Sequence, residues 1–289
     1  MEPIFLNAIE PIDYLAIGHI TLDLTPEGPR LGGTAAYAAL TARAFGLRAG
    51  IVTSFCPSLA LTALQDIPIV LLPAAETTTF ENKLTPDGRV QVLHSRAEGI
   101  DPFCIPETWR STPLVHLAPV AQEVDISLAR LFPESFIGMT PQGWFRRWDS
   151  DGHVSFAEWP EASYALEQAS AAVLSTEDVG GDERIIDEML SSVRLMAVTE
   201  GAAGARVYWQ GEMRSFLPPQ VEEIDPTGAG DVFAAAFFIN FHLTHDPWEA
   251  AQLATALASA SVTRRGLAGV PTPDQVVELL SAARVDMSL

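Results

Sequence analysis

Asp225-Pro226-Thr227-Gly228-Ala229-Gly230-Asp231 is followed at once by an almost wholly apolar stretch from Val232 to Leu243. Two glycines flanking a small alanine let the backbone turn tightly and bring N–H groups close to a bound group. The helix start behind the turn adds unpaired donors and the positive end of its dipole, a combination suited to an anion such as a phosphoryl group. Asp231 falls in the first turn, where a carboxylate can accept a proton from a hydroxyl attacking phosphorus. Asp is also a common first-turn residue, so an ordinary structural helix start reads equally well from these seven residues alone. The following helix tips the balance. From Val232 to Ile239 it has no polar face, so it is expected to be buried on all sides and to aim its first turn into the protein or a cleft.

The 289-residue chain has 48% hydrophobic and 19% charged residues, a balance that folds, and its length suits one large α/β domain spanning 1–289. Its formal charge is −20, from 37 acidic against 17 basic side chains, with Lys83 the only lysine. Such a chain repels nucleic acid and anionic lipid, which are bound chiefly through basic patches. An anionic ligand must be held by local devices: backbone N–H groups, a few arginines and a divalent cation, here magnesium. Cys56 and Cys104 are too few for a disulfide framework and lack metal-ligand spacing. Glu2 and Glu10 do not suit a secretory leader, and no run reaches the roughly 18 apolar residues of a membrane span. The expectation is a cytoplasmic protein.

Strand and helix alternate along the chain. Asp13 to His19 reads as a buried strand, Thr34 to Phe45 as an alanine-rich helix capped by Thr34, and Arg48 to Ser54 and Ile67 to Leu72 as strands flanking a helix from Ser58 to Gln65. Further strands are expected at Leu114 to Leu117, Ser135 to Met139, Ala171 to Leu174 and Leu195 to Thr199, with helices near Asp125 to Phe132 and ending near Leu190. This alternation predicts a mostly parallel sheet with helices on both faces. Thr77 to Ser95 departs from it, with two alternating runs around Pro86-Asp87-Gly88: a β-hairpin outside the main sheet, a small lid at about 77–95. Thr140 to Trp148 is aromatic and basic, closed by Asp149-Ser150-Asp151-Gly152, and reads either as a surface hairpin with packed tryptophans or as a pocket wall. A second hairpin turns at Gln210-Gly211, and three final helices begin near Ala229, Pro247 and Pro273.

These residues resemble the PfkB, or ribokinase-like, family of carbohydrate and nucleoside kinases. Asp225 to Asp231 resembles its closing signature, Gly32-Gly33 its opening glycine pair, Gly18 to Asp23 its first strand with a hydroxyl-holding acid, and Thr199 to Gly204 its nucleotide-side turn. Four matches in order weigh more than any one glycine turn. The resemblance implies a three-layer fold, ATP as donor with Mg2+, and a small sugar, polyol or nucleoside as acceptor. It makes Asp231 the base and Gly228, Ala229 and Gly230 the anion hole. Asp23, Gly32 and Gly33 would face the acceptor, with Tyr37 where the family usually has Asn, and Thr199, Gly201, Gly204 and Thr227 would face the nucleotide. Asp178 takes the Glu position of the family's magnesium-associated Asn-x-x-Glu motif, with Ser175 replacing its Asn. Asp225, with the segment from Ser261 to Gly266, resembles a monovalent-cation (K+) site, though that segment also reads as an ordinary helix C-terminus. Members often pair through their lids, which makes a homodimer an expectation, though a lone short hairpin argues for it weakly.

A sugar or polyol kinase is the leading reading. Nucleosides are the alternative acceptors, since Tyr37 or the tryptophans near Trp144 offer a face for a base. The changes at Ser175 and Tyr37 also leave open a non-catalytic ligand-binding protein on the same fold. A dinucleotide oxidoreductase is disfavoured, because no Gly-x-Gly-x-x-Gly follows the first strand.

Overall fold

The computed structural model describes residues 2–85 and 88–286; the Pro86-Asp87 part of the expected lid turn lies outside the described residues. The elements run β1 (Ile4–Leu6), β2 (Tyr14–Ile17), β3 (Thr21–Thr25), β4 (Gly28–Gly32), α1 (Thr34–Ala44), β5 (Ala49–Phe55), β6 (Ile69–Pro73), β7 (Thr79–Thr85), β8 (Gly88–Ser95), β9 (Leu114–Leu117) and β10 (Phe136–Met139). They continue with β11 (Arg146–Trp148), β12 (Val154–Phe156), α2 (Ala162–Leu166), β13 (Ala171–Ser175), α3 (Glu183–Leu190), β14 (Leu195–Thr199), β15 (Ala205–Trp209), β16 (Glu212–Phe216), α4 (Ala229–Thr244), α5 (Pro247–Ser261) and α6 (Pro273–Asp286).

The main sheet has the order β1-β6-β5-β2-β9-β10-β13-β14-β15-β16. From β6 to β14 neighbouring strands are parallel, while β1, β15 and β16 attach antiparallel at the edges. Its strands are apolar on both sides, as a doubly covered parallel sheet requires. In β2, Tyr14 and Ala16 join the core under α1, α4, α5 and α6, and Leu15 and Ile17 join the core under α2 and α3. The expected α/β architecture of three layers is therefore the observed one. In α4 every residue from Val232 to Phe241 is buried, and its Ala234-Ala235-Ala236 run lets α1 and α5 approach closely.

Three expectations need correction. The lid is a four-stranded sheet in the order β4-β3-β7-β8, because Thr21 to Gly32 folds into a hairpin of its own and β3 pairs parallel with β7. Between Ser58 and Gln65 there is only a 3-10 turn at Thr62–Leu64, and Asp125 to Phe132 holds a 3-10 helix at Ile126–Leu131. In the first of these only Leu64 is buried, too little apolar surface to hold a longer helix. Finally, Thr34 does not cap α1: Gly33 occupies the cap with φ 93, and the Thr34 hydroxyl is used elsewhere.

The lid is fastened to the main sheet by buried polar groups. The Glu123 carboxylate accepts the N–H groups of His19 (2.9 Å), Val120 (2.9 Å) and Ala121 (2.6 Å). His19 bridges from its ring to Thr78 at the foot of β7 (2.7 Å) and to the Glu98 carbonyl beyond β8 (2.8 Å). Among the described residues no helix is long and apolar enough to cross a membrane.

Candidate active site

A cavity of about 590 Å3 runs between the lid, the C-terminal ends of the central strands and the start of α4. The lid lines it with alternate residues, as the two-residue period of strands dictates. Thr21 and Asp23 come from β3, Phe80 and Asn82 from β7, and Gln91 from β8, opposite Asn82 in the ladder. At the other end Thr199, Gly201 and Gly204 line it beside Thr227, with Val221, Ala258 and Val262 forming an apolar slot.

Two helix starts meet at the cavity floor. Gly33 opens α1 with its φ of 93, and a Cβ there would run into the His19 carbonyl. Gly228 opens α4 with φ 83, a left-handed conformation natural to glycine. A Cβ at 228 would strike the ring of Tyr37, which lies against this turn. The Gly228 and Gly230 N–H groups have no backbone acceptor among the described residues, whereas that of Ala229 is donated to the Pro226 carbonyl at 3.2 Å. Of the three residues expected to form the anion hole, all line the cavity, but Ala229 already spends its donor inside the turn.

Asp231 follows one residue on, in the first turn of α4, and lines the same cavity. Burial pushes its carboxyl up from 3.8 to about 7. The Thr34 hydroxyl, hydrogen-bonded to it, and the nearby Arg146 guanidinium oppose that rise, while the charges of Asp178 and Asp23 add to it. A carboxyl that gains and loses its proton near neutrality is suited to general base work.

Of the residues expected to face the acceptor, Asp23, Gly33 and Tyr37 line the cavity and Gly32 does not. Gly32 instead clears room behind the acid, since a Cβ there would collide with the Asp23 carboxylate. Thr199, Gly201, Gly204 and Thr227 all line the opposite end. The two metal candidates stand outside the lining. Asp178 turns back to close a capping box, accepting the Ser175 N–H at 2.8 Å and the Gln142 amide at 3.1 Å, and burial raises its carboxyl above the usual range. Its neighbour Glu177 is the carboxylate of that segment that faces the cavity. Asp225 accepts the N–H groups of Thr227 and Gly266, each at 3.0 Å, with Arg30 at 3.6 Å. Among the described residues, the one carboxylate–imidazole cluster close enough to share a cation is Asp149, Asp151 and His153, exposed on the β11–β12 turn and not part of the cavity.

Sequence reasoning missed Arg146. It is the one basic side chain among the described residues lining the cavity, brought there because the β11–β12 hairpin bridges to β8 through Val92 and His153. It donates to the Val120 carbonyl (2.9 Å) and lies over the Phe80 ring, 5.3 Å from its centroid. The Thr140–Trp148 segment is thus both things its composition suggested: a pocket wall at Gln142 and Arg146, and a packed hairpin at Trp144, which stacks on Trp159. The signal available was the pair Arg146-Arg147 in a chain otherwise poor in cations.

Comparison with known proteins agrees with this arrangement. The description "pfkB family carbohydrate kinase" matches residues 167–275, which hold β13, β14 and the whole glycine turn with Asp231. Over that segment this chain is similar to the PfkB family of carbohydrate kinases. It is a phosphotransferase with an alcohol group as acceptor, a sugar or nucleoside kinase. The cytidine kinase of Thermococcus kodakarensis is 28% identical over 80% of this chain and 88% of the relative. The ATP-dependent ribose-1-phosphate kinase of Halopiger xanaduensis is 27% identical over 93% of this chain and 98% of the relative. Among solved structures, a pyrophosphate-dependent kinase of the ribokinase family in a sulfate complex superimposes with a TM-score of 0.74 at 21% identity, covering 92% of this chain and 99% of that one. The ATP-bound fructokinase of Xylella fastidiosa gives 0.74 at 16% identity, covering 94% and 99%. These likenesses show that the ribokinase fold is shared.

Proposed function

We propose that this PfkB kinase transfers the γ-phosphoryl group of ATP to a hydroxyl of a small neutral sugar or polyol, with Asp231 as general base and the Gly228–Gly230 turn as the phosphoryl cradle. The observation that carries this reading is the meeting of three features in one cavity: a carboxyl poised at about 7, free N–H donors at a helix start one to three residues before it, and a hydroxyl-reading face on the lid.

Acceptor hydroxyls would be read by Asp23, Asn82, Gln91 and Gln142, all uncharged or acidic, with Arg146 as the lone cation. One arginine already engaged with Val120 is a weak device for a phosphorylated sugar, which favours a neutral polyol. A nucleoside is the second reading, supported by the cytidine kinase relative. The stacking surfaces expected from the sequence do not serve it. Tyr37 is pressed onto the α4 turn, and Trp144 is buried against Trp159 with its N–H donated to the Val124 carbonyl at 2.9 Å.

The donor base fits the apolar slot at Val221, Ala258 and Val262. Mg2+ would neutralise charge on the donor phosphates, and Glu177 suits it, since this ion takes one or two carboxylates and keeps its remaining ligands from phosphate and water. Potassium is not part of the reading, because Arg30 already supplies the positive charge beside Asp225.

The test is a coupled assay of ADP release with magnesium and ATP over a panel of myo-inositol, ribose, fructose, cytidine and ribose-1-phosphate. Turnover with a neutral polyol or sugar is expected. Turnover with cytidine alone, or with ribose-1-phosphate alone, would replace this acceptor by the other class, and acceptor-dependent phosphate release from pyrophosphate, with no turnover on ATP, would remove the nucleotide.

A further inference from the structure

Tyr37 is the fourth residue of α1, and it is 2% exposed. Its hydroxyl has no hydrogen-bond partner, although a buried hydroxyl left unpaired is costly. A phenylalanine would fill the same space without that cost. The ring faces the cavity and occupies the volume that a side chain on Gly228 would take, so the turn holding the free Gly228 and Gly230 N–H groups rests directly on it. Burial first, then the carboxylates of Asp231, Asp23 and Asp225, hold the phenol above its ordinary range, so it remains a proton-bearing donor at every working pH.

We infer that Tyr37 supplies one more donor to the phosphoryl cradle: its hydroxyl bonds an oxygen of the migrating phosphoryl group when the Gly228–Gly230 turn takes up the donor. This rests on the kinase reading given above and adds to it a catalytic role for a side chain that resemblance alone would assign to the acceptor. The hydroxyl is enclosed in the free protein, with the glycine turn lying directly against the ring that carries it. Such a donor serves the transition state more than either ground state where it is placed for the planar, equatorial arrangement of the transferred oxygens, which neither ground state has. An unpaired donor kept in the resting protein is the kind of local cost that active sites retain for function.

Tyr37→Phe tests it, with the panel acceptor giving the fastest turnover. The expected result is a kcat lower by roughly tenfold to a hundredfold, with the KM values for ATP and acceptor within about twofold of the parent. Affinity for ADP with aluminium fluoride should fall by a similar factor while affinity for ADP alone holds. The melting temperature should stay level or rise, because the substitution removes an unpaired buried group. A kcat within about twofold of the parent overturns the inference. So does a rise in acceptor KM at constant kcat, which would return Tyr37 to acceptor binding, and so does a fall in melting temperature that accounts for the lost activity. If the parent enzyme turns over no acceptor and binds ADP with aluminium fluoride no better than ADP, the kinase mechanism itself fails and takes this inference with it. An active parent with an unaffected variant strikes the inference alone.

Discussion

The Thr34 hydroxyl hydrogen-bonds the Asp231 carboxylate, joining the first residue of α1 to the first turn of α4. The bond favours the ionised acid and opposes the larger effect of burial, which favours the neutral one. With the balance at about 7, kcat/KM should rise with pH and reach half its plateau near that value. Thr34→Val keeps the shape and removes the donor, so the midpoint should move to higher pH while the plateau is kept. A pH–rate profile measures both, and an unmoved midpoint would detach Thr34 from the base.

Replacing the base itself separates catalysis from stability. Asp231→Asn should reduce turnover by a few orders of magnitude and leave ATP affinity nearly intact. Its effect on stability has the opposite sign. A carboxyl raised from 3.8 to about 7 favours the folded state fully below the lower value, and that contribution is lost as pH rises through the upper one. At pH 8 the folded protein therefore carries an enclosed negative charge that Asn lacks. The variant should be more stable than the parent at pH 8, by on the order of 4 kcal/mol, with the gap shrinking as pH falls towards 4. Melting curves at the two pH values decide it.

Asp23 reaches the cavity from β3, on the same lid face as Phe80, its partner in the β3–β7 ladder. A charged acceptor of substrate hydroxyls is worth about 1.5–3 kcal/mol per bond. Asp23→Ala should then raise acceptor KM by roughly tenfold to a hundredfold, with ATP KM unchanged. Initial-rate kinetics in both substrates would expose the opposite pattern, a change confined to ATP.

How much of this was legible depended on the range of the interactions. The turn at Gly228, the burial of α4, the β15–β16 hairpin and the starts of α5 and α6 follow from local chemistry, and each stands where its residues indicate. The β3–β4 hairpin did not follow, because β3 finds its parallel partner only in β7, far along the chain. Arg146 was hidden for the same reason, since only the long-range bridge from Val92 to His153 carries its hairpin to the lid. At Glu177 and Asp178 the resemblance pointed one residue too far. Asp178 is consumed by the cap of its own 3-10 turn, which leaves Glu177 to the cavity.

The formal charge of −20 bears on stability as well as on partners. Self-repulsion among 37 acidic side chains opposes the compact state, and added salt screens it. Raising sodium chloride from about 0.1 M to about 1 M shortens the screening length from about 10 Å to about 3 Å. The melting temperature should rise by several degrees over that range, despite weaker exposed ion pairs such as Asp13–Arg48. A flat or falling salt dependence would mean that paired charges outweigh the net excess.

Arg146 sits between two roles that one substitution can separate. Its charge acts on Asp231 from the β11–β12 hairpin and lowers the proton affinity of the base, and its guanidinium lines the cavity against Phe80. If electrostatics dominates, Arg146→Met should leave a base that holds its proton more tightly. Turnover would then drop at pH 7 and recover most of its loss by pH 8.5, with acceptor KM little changed. If the guanidinium instead holds an acceptor oxygen, the loss would persist at every pH and appear in acceptor KM. The tie to Val120 by a 2.9 Å bond leaves the guanidinium little freedom to follow a substrate, which favours the first outcome. Arg146→Lys refines the comparison, because it restores charge without the planar fork. Recovery of the pH midpoint by lysine would identify the charge as the working feature, and failure to recover it would return Arg146 to acceptor binding.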